Sequence, residues 1–367
     1  MTVWGANGRR TQGANWRADN HSRFPNIKPS RATVPYNLAG CGMVNSNAFT
    51  AWRLFQLNWI PIAAMGAVVL LGGALCGFTM KPLALAVTLG IVAALALIAY
   101  LYAFAKGDQA DPKLIFPLGA ISQLLLIATI MGPLTYVAAV TNWPLQDRAL
   151  LAIDRAMGMD PEMIARYVND REWLGALLVR SYTLIKIILV AIPLVLALTS
   201  RFVRLQVFVL AFSLTLIMTL LISTFTPAVG TYYGLNIDPA QFSSLDASMY
   251  QAQLRDILAL RDGSLRHLEL LKITGIVSFP SFHAASAVLY IWALWPVRYV
   301  GGAAVVLNIL MMASTPVIGA HYMIDVFGGV ALAVIGICLA KYLVNIVAPS
   351  SSKAQAASQV ALVPALD

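Results

Sequence analysis

Eight predominantly apolar stretches run through the chain, roughly Leu57–Phe78, Leu83–Ala105, Leu114–Ala139, Leu174–Leu198, Val203–Phe225, Pro280–Val300, Gly301–Ala320 and Asp325–Val347. Each approaches the ~20 residues that a helix needs to cross the hydrocarbon core of a bilayer. Backbone in lipid must satisfy its own polar groups, and runs of this length do so as helices. Composition agrees: 59% of the 367 residues are hydrophobic and 11% charged, where a soluble domain carries about 25% charged residues. A soluble enzyme and a disordered regulator are excluded. So is a nucleic-acid module, because the basic residues are dispersed among apolar runs rather than gathered on one polar face. The expected fold is all-α: a polytopic membrane helix bundle of about eight transmembrane helices, with amphipathic helices on the outer face.

Lys and Arg set the expected orientation, since cytoplasmic loops hold an excess of them. With the N-terminus inside, the cytoplasmic parts carry fourteen Lys and Arg against four acids, and the outer parts nine against twelve. Arg180 and Lys186 lie within a span. Both termini are therefore expected in the cytoplasm. No short apolar segment with a cleavage site precedes Leu54, so no cleaved signal peptide is expected. Residues 1–53 read as a disordered basic cytoplasmic tail and 348–367 as a second tail. Residues 54–139 hold three transmembrane helices, 140–173 an outer amphipathic segment, and 174–347 the remaining bundle with an outer loop at 226–274. In the first outer segment Leu145, Leu150, Leu151, Ile153, Met157, Ile164 and Val168 interleave with charges at helical spacing, as in helices lying at an interface and forming a lid. The second loop reads as helical around Met249–Leu271. The absence of internal repeats weighs against a transporter built from inverted halves. Cys41, Cys76 and Cys338 are too few and too scattered for a disulfide or zinc framework.

Two of the four histidines stand at span ends. His283 follows Ser278-Phe-Pro-Ser281-Phe, and His321 precedes Tyr-Met-Ile-Asp325. The alternation of spans puts both at the outer surface. At a four-residue spacing on a helix, the Asp325 carboxylate can accept the Nδ1–H of His321 and leave Nε2 free as a nucleophile or base. The same pair could equally be an interfacial contact closing a helix end. Pro280, with Ser278 and Ser281 as possible caps, suits a helix start whose N–H groups attract phosphate. Two such histidines together form a plausible phosphoryl-transfer site, with no Asp/Glu/His cluster to suggest metal ligands. The nearest cations along the chain are Arg261, Arg266 and Lys272, alternatively a solvated face. Lys186 is a lysine between apolar residues, costly in a bilayer unless it faces a cavity or snorkels.

These motifs resemble the type 2 phosphatidic acid phosphatase superfamily. Pro280-Ser281-Phe282-His283 is similar to its Pro-Ser-Gly-His motif with Phe for Gly. Ser314-Thr315, five residues, then His321 and Asp325 is similar to its Ser-Arg/His/Asp motif with Thr for Arg. The Lys-six-residues-Arg-Pro motif is not found, and Phe225-Thr-Pro-Ala-Val-Gly stands in the corresponding stretch. The departures resemble the branch of inositol phosphorylceramide synthases. The resemblance implies His321 as a nucleophile forming a phosphohistidine, Asp325 as its orienting partner and His283 as the acid on the leaving group. It also implies that the family's phosphate-holding Lys and Arg are missing, which leaves Ser281, Arg261, Arg266, Lys272 and Lys186 as candidates to bind the phosphate. Neither metal nor cofactor is expected. The expected partners are the bilayer, a lipid phosphate or phospholipid substrate and a lipid alcohol acceptor; nucleic acid is not expected. The reading is an integral membrane phosphatase or phosphotransferase in a bacterial inner membrane, working at the outer face. The rivals are a headgroup transferase to ceramide or another lipid alcohol, a lipid-phosphate transporter or flippase, and a structural protein with degenerate motifs.

Overall fold

A computed structural model describes residues 46–347; both expected tails, apart from residues 46–53, lie outside the described residues. Seven helices are long and apolar enough to cross a membrane. They are α1 (Ser46–Leu75), α2 (Pro82–Lys106), α3 (Pro112–Val140), α6 (Glu172–Leu198), α7 (Phe202–Phe225), α11 (Val300–Ile318) and α12 (Met323–Val347). The eighth apolar helix, α10 (Phe282–Leu294), is shorter. Between α3 and α6 run α4 (Asp147–Ala156) and α5 (Pro161–Asn169); between α7 and α10 run α8 (Thr231–Leu235) and α9 (Ser248–Arg261).

Three boundaries correct the sequence reading. The first helix begins at Ser46, inside the stretch assigned to the tail, because Ala51 and Leu54 are fully buried and extend the packed face back to the helix start. The sixth span, expected over Pro280–Val300, is helical over 13 residues only. Pro296 interrupts the run, and Tyr299 turns the chain at a positive φ before α11 begins. The helix expected over Met249–Leu271 ends at Arg261, where Gly263 takes a left-handed φ. Beyond it His267–Leu268 (β2) pairs in parallel with Thr79–Met80 (β1), tying this loop to the α1–α2 turn.

The short helix α10 sits at the centre, packed by α6, α7, α11 and α12. Its Ala284, Ala285, Ala287, Leu289, Tyr290 and Ala293 are fully buried. Its C-terminal carbonyls receive Arg204, which donates to the oxygens of Trp292 and Ala293, a favourable place for a cation. Helix α12 approaches the start of α10 through Gly329, where any Cβ would collide with the Ser281 carbonyl oxygen. In the stretch 144–173, α4 is two-faced: it buries Asp147, Leu150, Leu151 and Asp154 and exposes Arg148, Ile153 and Arg155.

Candidate functional site

The turn between α11 and α12 builds the first half of the site. Gly319 and His321 donate their backbone N–H groups to the Thr315 carbonyl, at 3.0 and 3.3 Å, which closes α11 tightly. Ala320 takes a positive φ of 52° and so throws His321 back over the helix end. The loop after α7 packs on this turn: Thr231 N–H donates to the Ala320 carbonyl, at 2.8 Å. The approach requires glycine at 230, where φ is 130° and a Cβ would lie 2.6 Å from that same carbonyl.

Asp325, fully buried in the first turn of α12, accepts three hydrogen bonds on one oxygen, Oδ2. They come from the Tyr322 N–H at 3.0 Å, the Ser278 hydroxyl at 2.8 Å and Nδ1 of His321 at 3.2 Å. The imidazole is 4% exposed. With Nδ1 committed to the carboxylate, Nε2 is the atom left to react. Ser281 is the N-cap of α10, its Oγ accepting from Ala284 N–H, and its own N–H donates to the Asp325 backbone carbonyl at 2.9 Å. The two motifs are therefore joined by both the side chain and the backbone of Asp325.

The second histidine is held by a residue from a third element. Tyr182 of α6 stacks on His283 with ring centroids 4.1 Å apart and 14° between planes, and its hydroxyl lies 3.4 Å from His283 Nδ1. A Cβ placed on Gly319 would lie 2.7 Å from His321 Cδ2 and 3.0 Å from the Tyr182 hydroxyl oxygen, which leads on to His283 through the 3.4 Å contact. Those three lengths laid end to end bound the gap between the two ring atoms at about 9 Å. Lys186 follows Tyr182 by one helical turn on the same face of α6, and its charge acts on His283.

The other cations expected at the phosphate each have partners of their own. Arg261 donates to the Trp143 carbonyl at the top of α3. Arg266 donates to the Leu260 and Leu265 carbonyls and lies over the Phe78 ring. Lys272 is 77% exposed and pairs with Glu269, which also holds Lys81. Pairing of β1 with β2 ties this segment to the α1–α2 turn.

Two carboxylates of α4 complete the site from outside, and the sequence reading passed over both. Asp154 accepts the N–H groups of Met323 and Ile324 at 2.7 and 2.9 Å, capping α12 from a helix 169 residues away. Asp147 accepts from Val229 and Gly230 N–H and from the Tyr322 hydroxyl, at 2.8 to 3.1 Å. Burial pushes both carboxyls above the usual range, against the backbone hydrogen bonds that pull them down. The signal was present in the spacing. Asp147, Leu150, Leu151 and Asp154 recur at one helical face, so the acids share the buried side with the leucines. Tyr182 carried no such signal, being an aromatic residue in an apolar run.

Residues 148–339 match the family model of the PAP2 superfamily. The chain belongs to the PAP2 superfamily. No curated protein and no solved structure matches it. The matched segment runs from α4 to α12 and takes in every residue around the two histidines except Asp147. At the position where the family motif has arginine, Thr315 is fully buried and donates its hydroxyl to the Met312 carbonyl. No group there can hold a phosphate oxygen, so a cation for that purpose has to come from another element.

Proposed function

We propose that this PAP2 membrane protein is a lipid-phosphate phosphatase or phosphotransferase that works through a phosphohistidine on His321. The observation that carries the reading is the paired imidazole geometry: His321 with Nδ1 on buried Asp325 and Nε2 free, and His283 at the start of α10, stacked on Tyr182. Nε2 of His321 attacks phosphorus, and the P–O bond to the leaving alcohol breaks as His283 delivers a proton to that oxygen. Asp325 stabilises the charge gathering on the His321 ring. The acceptor hydroxyl then gives its proton to His283 and takes the phosphoryl group, releasing His321. Water as acceptor makes the enzyme a phosphatase; a lipid alcohol such as diacylglycerol or ceramide makes it a transferase of the kind its motif wording resembles. Phosphate oxygens are met by Lys186 and by the Phe282 and His283 N–H groups heading α10, where negative charge is favoured. We assign the clamp to Lys186 rather than to Arg261, Arg266 or Lys272. The excess of Lys and Arg in the loops read as cytoplasmic supports a site on the opposite face, which in a bacterial inner membrane is the periplasmic one.

The test is turnover by purified protein in lipid nanodiscs containing phosphatidic acid and, in parallel, phosphatidylinositol, with and without ceramide or diacylglycerol. Product forms with wild type, stops in His321→Ala and His283→Ala, and is blocked by vanadate. Trapped protein carries acid-labile phosphate on His321. Lipid binding without turnover in wild type overturns the enzyme reading in favour of a transporter.

A further inference from the structure

Arg180 and Lys186 are an anomaly of α6. Both lie on an apolar span, both side chains are exposed, and neither has an ion-pair partner among the described residues. A cation on a lipid-facing surface is costly without an anion. The bilayer itself supplies one, in the phosphate of a lipid lying against the helix.

Above Lys186 the same face of α6 borders an open groove of about 460 Å³, lined by Glu172, Ala176, Val179 and Arg180 on one side and Ser243, Ser244 and Asp246 on the other. Glu172, Ala176, Val179 and Arg180 recur at i, i+4, i+7 and i+8, one helical face that continues through Thr183 to Lys186. The six residues from Arg180 to Lys186 rise about 9 Å along the axis, a span suited to a headgroup attached to a phosphate near Lys186. The opposite wall is fixed in place. Ser244 N–H donates to the Asn169 side chain at 3.0 Å, and a Cβ on Gly175 would lie 3.0 Å from the Ser244 carbonyl. Phe242 and Leu245 are buried in the same cluster as Leu178 and Tyr182.

The lining is rich in acceptors. Two carboxylates and two serine hydroxyls face one guanidinium, and the Ser248 N–H occupies only one oxygen of Asp246. A phosphate monoester held near Lys186 would leave these acceptors without a ligand. A hydroxyl or ammonium on a headgroup attached to that phosphate would reach them. We propose that this groove is a headgroup subsite, and that the lipid taken is a phosphodiester whose headgroup carries hydrogen-bond donors. The proposal rests on the lipid-phosphate reading above and narrows its substrate class.

The experiment uses full-length protein in phosphatidylcholine nanodiscs, whose headgroup has no donors, holding an equal share of phosphatidic acid, phosphatidylglycerol or phosphatidylethanolamine with matched acyl chains. Wild type consumes one of the donor-bearing lipids about tenfold or more faster in kcat/KM than phosphatidic acid. In Glu172→Gln/Asp246→Asn that ratio falls toward one. A steeper fall for phosphatidylethanolamine identifies an ammonium ligand, and a steeper fall for phosphatidylglycerol a hydroxyl ligand. Preference for phosphatidic acid, or an equal loss on all lipids, overturns the subsite. A second readout needs no chemistry: native mass spectrometry of His321→Ala protein retains phosphatidylglycerol or phosphatidylethanolamine over phosphatidic acid, and the added double substitution abolishes the bias. Biased retention with no turnover in wild type leaves the subsite standing and ends the enzyme reading; unbiased retention ends the subsite alone.

Discussion

Asp154→Asn tests whether α4 holds in place the turn that carries His321 and Asp325. The carboxylate receives two N–H groups from the first turn of α12, at 2.7 and 2.9 Å, and is fully buried. An amide keeps one acceptor and turns its NH2 toward the other N–H. One charge-assisted hydrogen bond is lost, worth about 1.5–3 kcal/mol, and a buried donor is left facing a donor. Loss of a helix cap by itself costs about 0.5–2 kcal/mol. The expected destabilisation is therefore about 2–3 kcal/mol. The consequence for rate is larger, because that same turn carries Asp325, and a shift of about 1 Å in a reacting group costs on the order of a hundredfold. The assay is kcat and KM on the best lipid substrate, beside the thermal midpoint of the detergent-solubilised protein. The control is Asp160→Asn, which removes a cap from α5 by disturbing the hydrogen bond from Glu162 N–H and the pairing with Arg155, without touching α12. It should lower the midpoint slightly and leave kcat near wild type. Equal kcat in the two variants would refute the claim that α4 positions His321.

Tyr182→Phe keeps the ring stacked on His283 and removes the hydroxyl near Nδ1, so kcat should fall by no more than about tenfold, whereas Tyr182→Ala should fall by about a hundredfold, the usual worth of a correctly placed acid. Lys186→Gln should lower kcat/KM by about a hundredfold, as for loss of one donor to a developing oxyanion, while Lys272→Gln stays near wild type; the reverse order would return the clamp to the outer loop. Asp147 and Asp154 have carboxyls raised by burial above the unfolded value of 3.8, so their ionisation is harder in the fold than in the unfolded chain. Their contribution to stability is fully present below that value and is lost as pH rises through the raised ones. Thermal midpoints followed between about pH 4 and 8 should show a fall with rising pH that is shallower in Asp154→Asn; an unchanged slope would refute it.

The helical membrane fold was legible because bilayer thickness acts on local sequence: a run such as Val203–Phe225 needs no partner to be recognised. The His321–Asp325 hydrogen bond was legible for a similar reason, since a four-residue spacing encodes it. What escaped was whatever depended on packing between distant elements. Ser278 read as a helix cap, but its hydroxyl turns to Asp325, 47 residues on. Asp147 and Asp154 were passed over among the charges of the outer segment, although their register with Leu150 and Leu151 already placed them inward. Arg266 and Lys272 are close to His283 along the chain, but nothing in the sequence pointed to the partners they take: the Leu260 and Leu265 carbonyls for Arg266 and Glu269 for Lys272. The end of α10 was misread because Trp295, Val297 and Val300 are apolar, while Pro296 and the positive φ of Tyr299 stop the helix between them.

That short helix explains why the site has so much structure above it. Thirteen residues of α10 rise about 20 Å, against a hydrocarbon core of about 30 Å. Its C-terminal end is held by Arg204 and, through Pro296, by Arg201, at 2.8 Å. At its other end the chain leading into Phe282, including Ser278 and Ser281, is not helical. Non-helical backbone next to apolar spans needs partners for its polar groups. The supply here is the polar framework of α4 and the 226–281 loop, in which Asp147 and Asp154 satisfy the N–H groups of Val229, Gly230, Met323 and Ile324. Buried acids on the lid and a truncated helix in the core are thus one arrangement: the first supplies the acceptors that the second makes necessary. On the flank of α6 Arg180 and Lys186 remain exposed, and under the proposed function a phosphate reaching the histidines from that side would meet those cations first.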